Sequence, residues 1–330
     1  MIVPAPSIER SLTLQFIGDW GQANFHRICS WLAQEFCSRA GPRSRVALWT
    51  LRGGGIEAVE QVQDGESDLC IVTPAMLMPA ALEGRLIFAA RPAPDLRALV
   101  ALPQDDRIVL AIDRRLGISS FEELRAKRPP LRIATSSDDG TNFIGCVARL
   151  VMEAHGIDEA TLASWGGRYV VDTHPRDSIQ RMVSGEVDAL LQEAIMLPDW
   201  AQLVEQGKVT PIAAEAAALE RLAAHGFGSN PIPAGYWEGL GTPLEAVDFS
   251  DFLVLVRNDM PEDVARLLTW CLVERRAGIE RLYRHLPSKR SPVSYPLDPA
   301  RMGRTSIALH PGARAYFDEA GWLAESRPAR

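Results

Sequence analysis

The stretch 59-VEQVQDGESDLCIV-72 joins three patterns: apolar residues at helical spacing, a Gly65-Glu66-x-Asp68 corner, and an apolar run. The same order recurs in 178-SIQRMVSGEVDALLQE-193, with Gly185, Glu186 and Asp188 at the corner. In each case a helix runs to a glycine, which enters the left-handed conformation without the steric cost other residues meet, and a strand follows. An acidic side chain beside such a turn can accept from open backbone N–H groups. Glu66, Asp68, Glu186 and Asp188 therefore read as helix-to-strand punctuation, and their recurrence predicts two similar α/β units.

Outward from these corners, strand and helix patterns alternate. Residues 12-LTLQFIG-18 alternate in polarity and end in glycine, as a strand does, while 22-QANFHRICSWLAQEFCSRAG-41 has helical spacing and stops at Gly41. A strand is predicted at 45-RVALWTL-51, a loop at Gly53-Gly54-Gly55, a helix at 56-IEAVEQVQDG-65 and a strand at 69-LCIVTP-74. Two strands are expected in 97-RALVALPQDDRIVLAID-113, then a short helix, 121-FEELRAK-127, capped by Ser119 or Ser120. The next unit repeats the first: strand 131-LRIAT-135, polar loop 136-SSDDGTN-142, helix 143-FIGCVARLVMEAHG-156, strand 168-RYVV-171, helix 175-PRDSIQRMVSG-185 and strand 187-VDALLQ-192. Such alternation predicts an α/β protein in which each lobe is a mixed, mostly parallel sheet flanked by helices.

At 330 residues the chain exceeds one ordinary core and fits two lobes of roughly 100 to 200 residues each. Its 47% hydrophobic and 23% charged residues are those of a globular protein. A net charge of −7 argues against a nucleic-acid partner. Apolar runs such as 252-FLVLV-256 are far shorter than the ~20 residues of a membrane span, so the chain is not expected to insert in a membrane. The start MIVPAPSIERSLTLQF shows no signal-peptide pattern, which predicts a cytoplasmic protein, or a periplasmic one whose leader has been removed. The cysteines are odd in number, without a C-x-x-C pair, and read as buried thiols; no histidine spacing suggests a metal. No cofactor is expected, and no G-x-S-x-G, phosphate-binding loop or dinucleotide fingerprint marks a catalytic site.

Four segments resemble, in order, those of TAXI-type solute receptors, the binding subunits of one class of TRAP transporter. They are 53-GGGIEAVEQVQDGESDLCIVTPAMLMPAALEG-84, 117-GISSFEELRAKRPPLRIATSSDDGTN-142, 232-IPAGYWEG-239 and 309-LHPGARAYFDEAG-321. This family usually carries Ser and Asn where the chain has Gly54 or Gly55 and Ala58. The resemblance implies a two-lobed type II periplasmic-binding-protein-like fold, with 1–105 and 250–330 as lobe 1, 106–249 as lobe 2, hinges near 98–113 and 246–257, and a ligand cleft between the lobes. It implies a receptor for a small carboxylate, with a TRAP permease as partner. The alternatives are a cytoplasmic enzyme on the same fold, decarboxylase-like or cofactor-biosynthesis-like and acting on an aromatic or carboxylated molecule, and an intracellular metabolite sensor.

In open parallel sheets ligands bind beyond the carboxyl ends of the strands, where helix N-termini converge. Four loops meet that description: 18-GDWGQAN-24, with Asp19, Trp20 and Asn24; 52-RGGG-55 with Arg52, Gly54, Gly55 and Ile56; 73-TPA-75, with Thr73 and Pro74; and 136-SSDDGTN-142, with Ser137, Gly140, Thr141 and Asn142. The glycine turn before a helix suits a carboxylate, because backbone N–H groups approach closely and the helix dipole favours negative charge. Trp20 either walls the cleft or covers the core, Thr141 and Asn142 either touch ligand or cap a helix, and Arg52 either pairs with a carboxylate or is solvated. Gln192 and Glu193 end a strand and are expected at the cleft. Should the protein be an enzyme, the pairs that remain include His174 with Glu193 and Cys146 with a cleft histidine.

Overall fold

A computed structural model describes residues 3–18, 24–51 and 53–323. The described residues up to Gln104, together with those from Asp251 onward, form one compact unit, and Asp105–Ser250 form a second.

Unit 1 opens with β1 (Thr13–Gly18), α1 (Asn24–Cys37), β2 (Arg45–Thr50), α2 (Ile56–Gln63), β3 (Leu69–Val72), α3 (Met78–Glu83) and β4 (Leu96–Leu102). Unit 2 follows with β5 (Arg107–Asp113), α4 (Phe121–Lys127), β6 (Arg132–Ser136), α5 (Phe143–Ala154), α6 (Glu159–Ser164), β7 (Arg168–Asp172), α7 (Pro175–Ser184), β8 (Ala189–Gln192), α8 (Pro198–Glu205), β9 (Val209–Ile212), α9 (Ala216–Ala223) and β10 (Val247–Asp248). The chain then returns to unit 1 as β11 (Phe252–Arg257), α10 (Glu262–Glu274), α11 (Ala277–Tyr283), α12 (Pro299–Met302) and α13 (Pro311–Ala320). Within unit 1, α10 packs on α1, α13 and β4.

The two sheets are mixed and share a plan. Sheet order is β2-β1-β3-β11-β4 in unit 1 and β10-β5-β8-β6-β7 in unit 2, with β9 also paired to β5. The strands β2-β1-β3 and β7-β6-β8 are parallel trios, and the remaining pairings are antiparallel. Strands β3, β5 and β8 are buried along their whole length, which explains their unbroken apolar runs. The core of unit 2 includes Ile179, Leu190, Trp200 and Trp237, the two indoles stacking with ring centroids 5.8 Å apart. The string 232-IPAGYWEG-239 thus supplies core aromatics, and in 309-LHPGARAYFDEAG-321 the His310 ring caps α13 by accepting from Gly312 N–H at 3.2 Å.

The repeated corners have the same bonds. Glu66 N–H donates to Gln61 C=O at 2.9 Å and Glu186 N–H to Arg181 C=O at 3.0 Å, closures that require the left-handed glycines Gly65 (φ 75°) and Gly185 (φ 77°). Asp68 then accepts from the Gln15 N–H at 2.7 Å, and Asp188 from the Arg132 N–H at 2.9 Å. Each corner is thereby tied to the first parallel strand of its own trio, β1 or β6. Helix α1 ends at Cys37, short of Gly41. Gly41 serves close packing instead, since a Cβ there would stand 2.4 Å from Glu9 O.

Candidate functional site

In each unit the parallel trio brings the predicted loops to one sheet edge. In unit 1 the edge is built from the ends of β1, β2 and β3. Gly18, the last residue of β1, permits close approach of α1, because a Cβ would stand 2.6 Å from His26 Cα. His26 in turn shares a 2.9 Å hydrogen bond between Nδ1 and the Thr50 hydroxyl at the end of β2. Asn24 is the half-buried first residue of α1, whereas Asp19, Trp20 and Arg52 lie outside the described residues.

After β2 comes the turn into α2. Gly54 and Gly55 take φ of 101° and 105°, both in the left-handed half of conformational space, and together with Ile56 they are buried. Gly55 is the N-cap of α2 and has no side chain with which to accept the helix's first amides. After β3, Thr73 is buried and donates its hydroxyl to Gln104 Oε1 at 3.1 Å, and the Thr73–Pro74 peptide is cis. Gln104 therefore belongs to this edge, although the sequence offered no periodicity or motif that marks it.

The unit 2 edge spends its helix termini differently. Asn142 is fully buried and caps α5, its Oδ1 accepting from Ile144 N–H at 2.9 Å, while its Nδ2 donates to Thr173 C=O at 3.2 Å. Of the two uses open to this residue, capping is the one seen. Thr141 is exposed and bonds Asp139 through both its N–H (3.1 Å) and its hydroxyl (2.5 Å). Those bonds hold the Asp139 carboxyl below its ordinary range. Gly140 (φ 87°) shapes the exposed tip, and the Ser137 carbonyl lies against α5. His174 caps α7, its Nδ1 accepting from Arg176 N–H at 3.1 Å, and Pro175 removes one donor from the same helix end. Thus, among α2, α5 and α7, only α2 starts without a side-chain cap.

Gln192 and Glu193 do lie at the carboxyl end of β8, and both are buried. The Gln192 amide donates to Ser136 Oγ at 3.3 Å and its carbonyl accepts from Glu193 N–H at 3.0 Å. The Glu193 carboxyl is hydrogen-bonded to Asp106, a residue that the sequence placed only within a predicted pair of strands. Asp106 also accepts from the amides of Arg107 (2.8 Å), Ala194 (3.0 Å) and Ile195 (3.1 Å). Burial raises the Asp106 carboxyl to about 6, its bonds to Glu193 and to the amides opposing that rise. Burial, the Asp106 charge and the bond to it drive the Glu193 carboxyl well above its ordinary range.

All five cysteines are free, and four of them are buried. Among the described residues no group of three His, Cys, Asp or Glu side chains is placed to hold a metal ion, and no helix is long and apolar enough to cross a membrane.

Two α/β units with mixed sheets, their parallel strands ending in polar loops at helix N-termini, define the fold of periplasmic substrate-binding proteins. Solved structures agree on that fold. A periplasmic transporter is 14% identical with a TM-score of 0.50 and 94% coverage of both chains. The periplasmic binding protein BugD is 11% identical with a TM-score of 0.50, covering 94% of this chain and 97% of its own. A protein from Bordetella bronchiseptica RB50 is 12% identical with a TM-score of 0.52, covering 96% and 99%. Residues 36–321 match the NMT1-like family, and the chain belongs to it. No curated protein matches the sequence.

Proposed function

We propose that the protein is a solute-binding protein that captures a small carboxylate-bearing ligand between two lobes, 1–105 with 250–330 and 106–249, hinged near 98–113 and 246–257. The observation that carries this reading is the start of α2, where two left-handed glycines precede a helix whose cap residue offers no acceptor. A carboxylate supplies both the acceptor oxygens and the negative charge that such an end favours, an interaction worth ~0.3–2 kcal/mol. In unit 2, Asn142 and His174 already serve the corresponding role for α5 and α7, which supports unit 1 as the anion-holding half. Thr73, Ser137 and Thr141 would supply polar contacts to the rest of the ligand. Membership of the NMT1-like family and the binding-protein fold support a role in transport. The strings 232-IPAGYWEG-239 and 309-LHPGARAYFDEAG-321 support a TRAP-type receptor, whose membrane permease would be its partner and whose compartment would be the periplasm.

A thermal-shift screen of amino acids, keto acids, dicarboxylates and aromatic acids tests the proposal, because a ligand that binds only the folded state raises Tm by mass action. The acid that raises Tm should also move the amide resonances of Gly55 and Ile56. Absence of any shift at millimolar acid overturns the receptor reading. A Tm rise that leaves those amides unmoved removes the carboxylate from α2.

A further inference from the structure

We propose that Asp106 is a positioning residue for the candidate binding edge: its carboxylate, joined through one proton to the Glu193 carboxyl, holds the turn from Gln192 to Ile195 in a single conformation. Asp106 lies where the chain enters β5 and the turn lies where it leaves β8, two strands that pair antiparallel with Val109 opposite Gln192. Both carboxyl groups are buried, at 0% and 6% exposure. The two Asp106 oxygens divide the turn between them, Oδ2 accepting from Ala194 N–H and Oδ1 from Ile195 N–H. Ala194 has φ 62°, a left-handed conformation that a residue with a Cβ keeps only where its surroundings enforce it. The amide bonds to Asp106 provide that enforcement.

The proton is needed because two adjacent carboxylates cannot both ionise out of water. Nearby charged groups of the same strands have partners of their own: the Arg107 guanidinium is spent on Asn230, Pro231 and Asp105, and Asp248 accepts from Asn230 and Ser250. Among the described residues, the charge that acts on Glu193 is that of Asp106. Loss of the shared proton therefore places two repelling charges at the turn, and the edge loosens as pH rises. The fold supplies a reporter, since the Trp200 indole N–H donates to Glu193 C=O at 2.9 Å.

This inference rests on the proposed function only for the identity of the edge, and it is tested without ligand. The indole N–H resonance of Trp200 is followed by NMR from acid to alkaline pH. In the wild-type protein it should shift through one transition as the proton leaves. Glu193→Gln, whose amide donates to Asp106 with a proton that stays, should hold the acid-side position throughout. Asp106→Ala should displace the resonance at every pH. If Asp106→Ala does not fold, the comparison of Glu193→Gln with wild type decides. A wild-type resonance without a transition, a Glu193→Gln protein that titrates like wild type, or an Asp106→Ala protein with an unmoved indole each overturns the proposal. An indole that titrates in a protein that binds no acid keeps the lock and sinks the receptor reading; acid binding with an indole that does not titrate does the reverse.

Discussion

Gly145 shows what a single residue contributes that no local pattern announces. It is the third residue of α5, and a Cβ there would stand 1.7 Å from the carbonyl oxygen of Ser137. The contact is with backbone, which has little freedom to withdraw, so Gly145→Ala should cost ~3 kcal/mol. Gly140, in the same loop, has open space around its missing Cβ but a φ of 87°, so Gly140→Ala should cost only ~1 kcal/mol. Urea unfolding of the two variants checks this, and equal losses would refute it. The turn at Gly140 was readable from its polar run, whereas the need for Gly145 comes from a carbonyl whose approach only the folded loop sets. Glu193 illustrates the same divide. Its place at a strand end followed from the sequence, but its partner Asp106 is distant along the chain, in a β5–β8 register that no local pattern specifies.

At the scale of elements, the two corners share their backbone bonds and differ in electrostatics. Asp188 also receives the Arg132 guanidinium at 2.8 and 2.9 Å, which holds its carboxyl below the ordinary range. Among the described residues no arginine is bonded to Asp68, and burial raises its carboxyl. A lowered carboxyl contributes stability that is present above the unfolded-state pKa and is lost as pH falls through the folded one. A raised carboxyl contributes stability that is present at low pH and is lost as pH rises through its folded pKa. Asp188→Asn should therefore cost about 1 kcal/mol at neutral pH, the scale of a solvent-screened pair, and flatten the acid decline of Tm. Asp68→Asn should instead flatten the decline on the alkaline side of the carboxylate range. Thermal melts across pH check both signs, and the same pH response in the two variants would contradict the assignment. The repeat of the corners was legible because helix, glycine and strand are local patterns. The difference between Arg132 and Gln15 as neighbours was not, because strand pairing brings them there.

At the scale of the molecule, unit 2 is one continuous insertion into unit 1, and its ends meet. Asp106 N–H donates to Ser250 Oγ at 3.3 Å and Phe249 N–H to Asp106 C=O at 3.1 Å, while within unit 1 Asp251 N–H donates to Gln104 C=O at 3.2 Å. Residues 105–250, with a core of their own, should therefore fold alone, giving one cooperative thermal transition and a dispersed NMR spectrum. A fragment that stays unfolded would show that its core depends on unit 1. The sequence by itself determined the α/β class, the order of elements and the repetition of one unit in another, since helical and strand periodicity, glycine stops and polar loops are written within a few residues of one another. Only the tertiary structure decided which strand neighbours which, that α2 begins uncapped while Asn142 and His174 close α5 and α7, and that buried Asp106 meets Glu193 and the amides of Ala194 and Ile195. Those outcomes depend on pairing and burial between residues far apart in the chain, and no local pattern encodes the dielectric or the partner that a side chain meets once the sheets have formed.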